Sequence, residues 1–127
     1  MIDHIGVNVS EPKRSRAFYE AALAPIGYAL RIEVPTEHTG GIAVLGYGEA
    51  GKPDFWVTEG DPHGVRIHVA FRAKTRAQVD AFYSAAIAAG GTDNGKPGVR
   101  PHYHEHYYGA FVRDPDGHNI EVVCHAP

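Results

Sequence analysis

Two histidines and one glutamate occupy positions from which they could share a divalent metal ion. His4 and His68 fall at the same place in two similar stretches, 3–28 and 67–92, which align on each other without a gap. Glu121 lies on the polar face of the predicted last strand. Two imidazoles and one carboxylate bind Zn, Mn, Fe, Ni or Co as divalent ions and leave coordination positions open for water or substrate. If their strands converge, these residues form one metal site.

The two similar stretches predict a duplicated strand–helix unit. The aligned residues include an aromatic pair and a terminal glycine: Phe18-Tyr19 with Phe82-Tyr83, and Gly27 with Gly91. Each half is predicted to have the order βαβββ, with a first module at 1–60 and a second at 65–127. We expect both modules to belong to a single α+β domain covering 1–127, since no long linker separates them.

Local patterns define the elements that would carry the candidate ligands. Ile2–Val9 and Val65–Arg72 alternate apolar and polar residues, which predicts strands with His4 and His68 on their polar faces. Thr75 and Gln78 form a capping-box pattern at the start of the second helix. The polar stretch 92–106 is predicted to hold at most one short strand. A hairpin is predicted from 107–113 and 118–125, across the turn at 114–117.

Composition excludes several classes of function. The formal net charge is −3 and the basic residues are scattered, so we expect no nucleic-acid partner. No apolar run approaches membrane-spanning length, and we expect no membrane association. Cys124 is the single cysteine and no targeting segment is recognisable, which favours a cytoplasmic location.

Histidines and aromatic residues elsewhere are candidates for the remaining parts of a site. The segment 102–106, His-Tyr-His-Glu-His, is either a second metal site or a polar loop at the mouth of a cavity, and we interpret it as the loop. His104 and His106 lie nearest the following strand, so they are the predicted catalytic bases. The predicted substrate-lining residues are Asn8, Trp56, Tyr107 and Tyr108, although such aromatics often belong to a core.

The sequence resembles the vicinal oxygen chelate superfamily, which includes glyoxalase I, extradiol dioxygenases, fosfomycin-resistance transferases and bleomycin-resistance proteins. The resemblance covers essentially the whole chain. It is carried by 3–5 (Asp-His-Ile), Phe18-Tyr19, 67–69 (Ile-His-Val) and, most diagnostically, 111–121 (Phe-Val-Arg-Asp-Pro-Asp-Gly-His-Asn-Ile-Glu). It implies paired βαβββ modules that form a cupped, barrel-like sheet with helices on the outer face. It also implies that His4, His68 and Glu121 occupy metal-ligand positions.

The resemblance implies a small-molecule metalloenzyme in which the divalent ion acts as a Lewis acid on vicinal oxygens, of lyase, thiol-transferase or dioxygenase type. A possible homodimer is part of this expectation. The alternative is a non-catalytic protein that sequesters a ligand, as in the bleomycin-resistance branch. One departure matters: in glyoxalase I a fourth ligand comes from the last strand of the first module, where this chain reads Phe55-Trp56-Val57. We therefore expect weak or absent glyoxalase I activity.

Overall fold

The computed structural model describes residues 1–62 and 64–127, which contain two α-helices and eight β-strands. The N-terminal module consists of β1 (Ile5–Val9), α1 (Pro12–Leu23), β2 (Ala29–Glu33), β3 (Val44–Gly48) and β4 (Phe55–Glu59). The C-terminal module consists of β5 (His68–Arg72), α2 (Arg76–Ala88), β6 (Thr92–Val99), β7 (Tyr108–Arg113) and β8 (Asn119–Cys124). Short 3-10 helices lie at Ala24–Ile26 and Thr36–His38.

Each module forms one mixed sheet of four strands, in the orders β1-β4-β3-β2 and β5-β8-β7-β6. β1 runs parallel to β4, and β5 runs parallel to β8; the other neighbours are antiparallel. The predicted α+β fold of paired βαβββ modules is therefore confirmed. Within the described residues the sheets are curved but do not close into a barrel. The division at 1–60 and 65–127 stays a prediction.

The alternation of residue types decides which face of each sheet meets the helices. Val7 and Val9 in β1, and Val69 and Phe71 in β5, are buried. Ala70, between the last two, is exposed. Both helices join these apolar faces in one core, and α1 packs directly on α2. The opposite face of each sheet, called here its open face, carries the polar residues that the sequence singled out.

Helix ends follow the signals in the sequence. Thr75 Oγ1 accepts a hydrogen bond from the Gln78 backbone at 3.2 Å, and the Gln78 side chain accepts one from the Thr75 backbone, so the predicted capping box is confirmed. Gly27 ends the first helical segment with φ of +86°, a conformation that glycine adopts without steric cost. Within the described residues, neither helix has the length and apolar character needed to cross a membrane.

The long polar stretch differs from the expectation of at most a short strand. Thr92–Val99 forms the eight-residue strand β6, which pairs with β7. Its register shifts twice, between Asp93 and Gly95 and again between Gly95 and Gly98. These bulges break the period-two pattern that identifies a strand in a sequence, so composition alone indicated a loop.

A buried polar cluster ties the two modules together. His118 is 2% exposed; its Nε2 donates to the Asn8 carbonyl at 2.8 Å and its Nδ1 accepts from the Ile67 amide at 3.2 Å. Asp114 accepts from the His118 amide at 2.8 Å and from the Tyr19 hydroxyl at 2.6 Å. The turn between β7 and β8 is thereby fixed against β1 and α1, which sets the position of β8.

Candidate metal centre

His68 and Glu121 come together on the open face of the C-terminal sheet. β5 and β8 are parallel neighbours in which Ala70 pairs with Glu121, so His68 stands diagonally beside the carboxylate. His68 Nε2 donates to Glu121 Oε2 at 2.9 Å. The His68 side chain is 50% exposed, whereas Glu121 is 1% exposed, so the imidazole is the accessible member of the pair.

Tyr107 covers the other carboxylate oxygen. Its hydroxyl donates to Glu121 Oε1. Burial is the largest cause of the raised pKa of Tyr107, and this hydrogen bond is the second. Gly109 leaves room for the contact, since a Cβ there would lie 3.4 Å from Oε1 and 3.2 Å from the Tyr107 ring. One carboxylate thus receives an imidazole at Oε2 and a phenol at Oε1.

His4 is presented on the N-terminal module. It lies directly before β1 and is exposed, and its Nδ1 donates to Asp3 at 2.8 Å. Asp3 is also paired with Lys52, which together with His4 lowers the pKa of that carboxyl. A carboxylate on Nδ1 fixes the tautomer of a histidine and leaves Nε2 free as a metal ligand.

Within one chain His4 does not complete a three-ligand group. His4 and His68 both line a cavity of about 330 Å³ at the junction of the modules. Even so, the described residues contain no group of three or more His, Cys, Asp or Glu side chains placed to hold a metal ion. The predicted convergence of His4, His68 and Glu121 is therefore found for the last two only. His4 belongs to the N-terminal module, directly before β1, whereas His68 and Glu121 lie on neighbouring strands of the C-terminal sheet.

The strand register identifies the counterpart of Glu121 in the N-terminal module. Gly6 pairs with Trp56 across β1 and β4, just as Ala70 pairs with Glu121 across β5 and β8. Trp56 therefore occupies the position in the N-terminal module that Glu121 occupies in the C-terminal one. A Cβ on Gly46 would lie 2.9 Å from the Trp56 indole, so the glycine allows the ring to lie across the sheet.

Trp56 also lines an open cavity on this face. The cavity has a volume of about 620 Å³, and its walls are formed by Asp3, His4, Gly6, Lys52, Pro53 and Trp56. This volume is in the range of small-molecule sites, which are typically about 300–1,000 Å³. Asn8, a further predicted liner, donates from its side chain to the Asp61 carbonyl at 3.2 Å, and its backbone carbonyl receives the bond from His118.

The predicted bases in the 102–106 segment are placed differently from each other. His104 Nε2 lies 2.6 Å from His125 Nδ1, and the His104 ring contacts the Tyr107 ring edge-on at 5.4 Å. His106 instead lies 3.4 Å from the neighbouring Glu105 carboxylate. His104 is therefore the one that contacts the Tyr107–Glu121–His68 chain. His125 is a member of this cluster that the sequence did not single out.

Tyr108 lies on the opposite side of the sheet from Tyr107. Its hydroxyl donates to Asp80 on α2 at 2.7 Å, and the Arg76 guanidinium stacks on its ring at 5.0 Å. This hydrogen bond to Asp80 raises the pKa of Tyr108. Adjacent residues of a strand point to opposite faces, which explains why only one of the two tyrosines reaches Glu121.

The donor set fits a divalent first-row ion. An imidazole nitrogen and a carboxylate oxygen 2.9 Å apart are spaced as neighbouring ligands of one ion with bonds of about 2.0–2.2 Å. Ala70, which pairs with Glu121, is small and exposed, and the half-exposed His68 imidazole is the member of the pair that an ion can approach. The pair supplies two ligands, so a third has to come from a group outside this sheet.

Comparison with a protein-family model identifies the superfamily of the chain. The model of the Glyoxalase/Bleomycin resistance protein/Dioxygenase superfamily matches residues 1–122. The chain belongs to this superfamily. Its membership agrees with the resemblance drawn from the sequence and with the paired βαβββ architecture.

Solved structures of the superfamily share the fold. A glyoxalase/bleomycin resistance protein from Albidiferax ferrireducens T118 is 28% identical, with 98% of each chain covered and a TM-score of 0.71. A mutant of the fosfomycin resistance protein FosX from Listeria monocytogenes, in complex with Mn(II) and 1S,2S-dihydroxypropylphosphonic acid, is 18% identical, covers 97% of this chain and 88% of its own, and has a TM-score of 0.68. A family enzyme from Burkholderia phytofirmans PsJN is 18% identical over 98% of each chain, with a TM-score of 0.70. No curated protein sequence matches the chain significantly.

Proposed function

We propose that the protein is a metal-dependent enzyme that acts on a small molecule with two adjacent oxygen atoms. The observation that carries this proposal is the His68–Glu121 pair, whose donor atoms lie 2.9 Å apart on an open sheet face. A carboxylate that is 1% exposed and bonded at both oxygens is held in place before any ligand arrives. Such preorganisation is typical of a ligand set rather than of a solvated surface glutamate.

The third ligand is His4, supplied by a second copy of the chain. Among the described residues, His4 is hydrogen-bonded through Nδ1 and not through Nε2, yet it belongs to the N-terminal module and does not group with the pair on the C-terminal one. A homodimer in which the open face of one module meets the opposite module of the partner brings the three donors together, and two-fold symmetry then creates two equal sites. The ion is Zn, Mn, Fe, Ni or Co, since imidazole and carboxylate ligands suit all five.

When bound, the ion supplies Lewis-acid stabilisation of negative charge on the substrate oxygens. The residues of the chain supply the substrate contacts and the base. Trp56 and Pro53 form an apolar wall for the substrate body, and Asn8 lies on the same face of β1 as Gly6. Tyr107, whose hydroxyl donates to Glu121, is also proposed to contact the substrate. His104 is the candidate base, because it stacks on His125 and contacts Tyr107 at the same end of the sheet.

Metal titration tests the proposal. Protein prepared without a polyhistidine tag, in a reducing cytoplasmic host, is titrated with Mn(II) and Zn(II) by calorimetry. We expect about one ion per chain, and expect His68→Ala to abolish binding without unfolding the domain, since such ligands sit on a preformed scaffold. His38→Ala, at an exposed histidine outside the site, is the matched control. Equal binding by wild type and His68→Ala would refute the assignment.

The reaction is then sought with substrates that share the chelating chemistry. Hemithioacetals, catechols, and an epoxide phosphonate with a thiol represent the lyase, dioxygenase and transferase types. Turnover that depends on added metal and is lost in Glu121→Gln supports the enzyme. Turnover that is unchanged in Glu121→Gln would contradict it.

Ligand sequestration without turnover is the second candidate, and the placement of Trp56 favours it. An indole laid over Gly46 offers a flat surface for a planar ligand where a fourth carboxylate would otherwise stand. Because Trp56 is the single tryptophan of the chain, its fluorescence reports occupancy of this face directly. Quenching by a planar ligand that is equal with and without metal, in the absence of turnover, would favour sequestration over catalysis.

A further inference from the structure

The hydroxyl of Tyr107 donates a hydrogen bond to one oxygen of the proposed ligand Glu121, and His68 donates to the other. The carboxylate is buried, so water does not compete strongly for these positions. A carboxylate with one oxygen held by a donor binds a metal through the remaining oxygen only. Two-oxygen binding would use up one of the coordination positions that a substrate needs.

The Tyr107 ring is itself held in one orientation by three aromatic neighbours. Tyr103, His104 and His125 meet it edge-on, with ring centroids at 4.8, 5.4 and 5.3 Å and interplanar angles of 71°, 73° and 85°. The 102–106 segment and the residue after β8 therefore form a clamp around the phenol. The histidine-rich loop therefore positions Tyr107, which in turn contacts the proposed ligand Glu121.

We propose that Tyr107 is a positioning residue that keeps Glu121 a one-oxygen metal ligand and thereby keeps a coordination position open for substrate. The inference rests on the proposed function, since it assumes that Glu121 binds the metal. It goes beyond that function because Tyr107, which does not itself bind the metal, then determines how many coordination positions of the ion stay open. Outer partners of this kind typically contribute about 10–100-fold to metal affinity.

Tyr107→Phe tests the proposal, because it removes the hydroxyl and keeps the ring inside its clamp. We expect Mn(II) affinity to fall about 10–100-fold. We also expect the water-proton relaxation rate per bound Mn(II) to fall, because Glu121 is then free to bind through both oxygens and displace a water. Mn(II) is the chosen probe because it has the lowest affinity for imidazole among these ions, so the His104–His125 pair contributes little.

Tyr108→Phe is the matched control. It removes the hydroxyl of the next residue, whose partner is Asp80 on the helix side, and it should leave affinity and relaxation unchanged. Gly109→Ala is a second variant, which crowds the same contact from the backbone and should weaken Mn(II) binding while keeping the hydroxyl. Affinity and relaxation equal to wild type in Tyr107→Phe would overturn the positioning role alone. A wild-type protein that binds no Mn(II) or Zn(II) would overturn the proposed function with it.

Discussion

Two neighbouring buried tyrosines should respond in opposite ways to loss of the hydroxyl group. Tyr19 and Tyr47 are both 0% exposed, and their ring centroids lie 6.2 Å apart. Tyr19 donates to Asp114 at 2.6 Å, whereas the Tyr47 hydroxyl has no hydrogen-bond partner among the described residues. Hydrogen bonds to a carboxylate contribute about 1.5–3 kcal/mol, and an unpaired buried hydroxyl costs about 1–3 kcal/mol.

Tyr19→Phe should therefore lower the free energy of unfolding by about 2 kcal/mol, because it leaves a buried Asp114 oxygen unpaired. For a chain of this size we expect Tm to fall by roughly 6–10 °C. Tyr47→Phe should leave Tm unchanged or raise it slightly. Urea and thermal unfolding followed by circular dichroism at one fixed protein concentration measure both variants. Equal destabilisation of the two would mean that ring packing, rather than the bond to Asp114, gives Tyr19 its importance.

Three further outcomes follow from the site and its surroundings. Isomerisation of the methylglyoxal–glutathione hemithioacetal should be weak or absent because Trp56 stands where a fourth carboxylate would lie, and robust turnover in a glyoxalase I assay would refute this inference. His104→Ala should depress turnover of any substrate found more than it changes Mn(II) affinity, whereas unchanged rates in both His104→Ala and His106→Ala would make the loop a solvated segment. Burial raises the tyrosine pKa values above their ordinary value of 10.0, so this contribution to stability is complete below about pH 10 and is lost as pH rises through the higher folded pKa values. Tm measured as a function of pH above about 10 should show that decline. The affected residues include Tyr19, Tyr28, Tyr47 and Tyr107.

Local sequence patterns were sufficient to predict most of the fold. Period-two alternation placed His68 and Glu121 each on the polar face of its own strand, and the capping box located the start of α2. The structure shows that these two strands are neighbours. β6 was harder because Gly95 and Gly98 interrupt its ladder with bulges, which leave no regular pattern. Strand boundaries also differ, since β1 begins at Ile5 rather than at Ile2.

The site was predictable only where its geometry is local to one sheet. The repeat predicted equivalent positions for His4 and His68, but equivalence in sequence does not fix how the two modules meet in space. The hydrogen bonds of Tyr107 to Glu121 and of His104 to His125 join residues 14 and 21 positions apart. No periodic signal in the sequence encodes such contacts. His118 was predicted as the first residue of the last strand, but its bond to the Asn8 carbonyl depends on packing between the modules.

A mixed dimer tests most directly the claim that two copies of the chain share each metal centre. His4→Ala and Glu121→Gln chains are co-expressed with two different tags, neither of them polyhistidine, and the heterodimer is isolated and titrated with Mn(II). Each parent variant should lack tight binding, while the heterodimer should bind about one ion per dimer, against about two for wild type, because one of its sites holds both intact residues. A heterodimer that binds no ion tightly would contradict the account, and full binding by either parent variant would place the metal elsewhere.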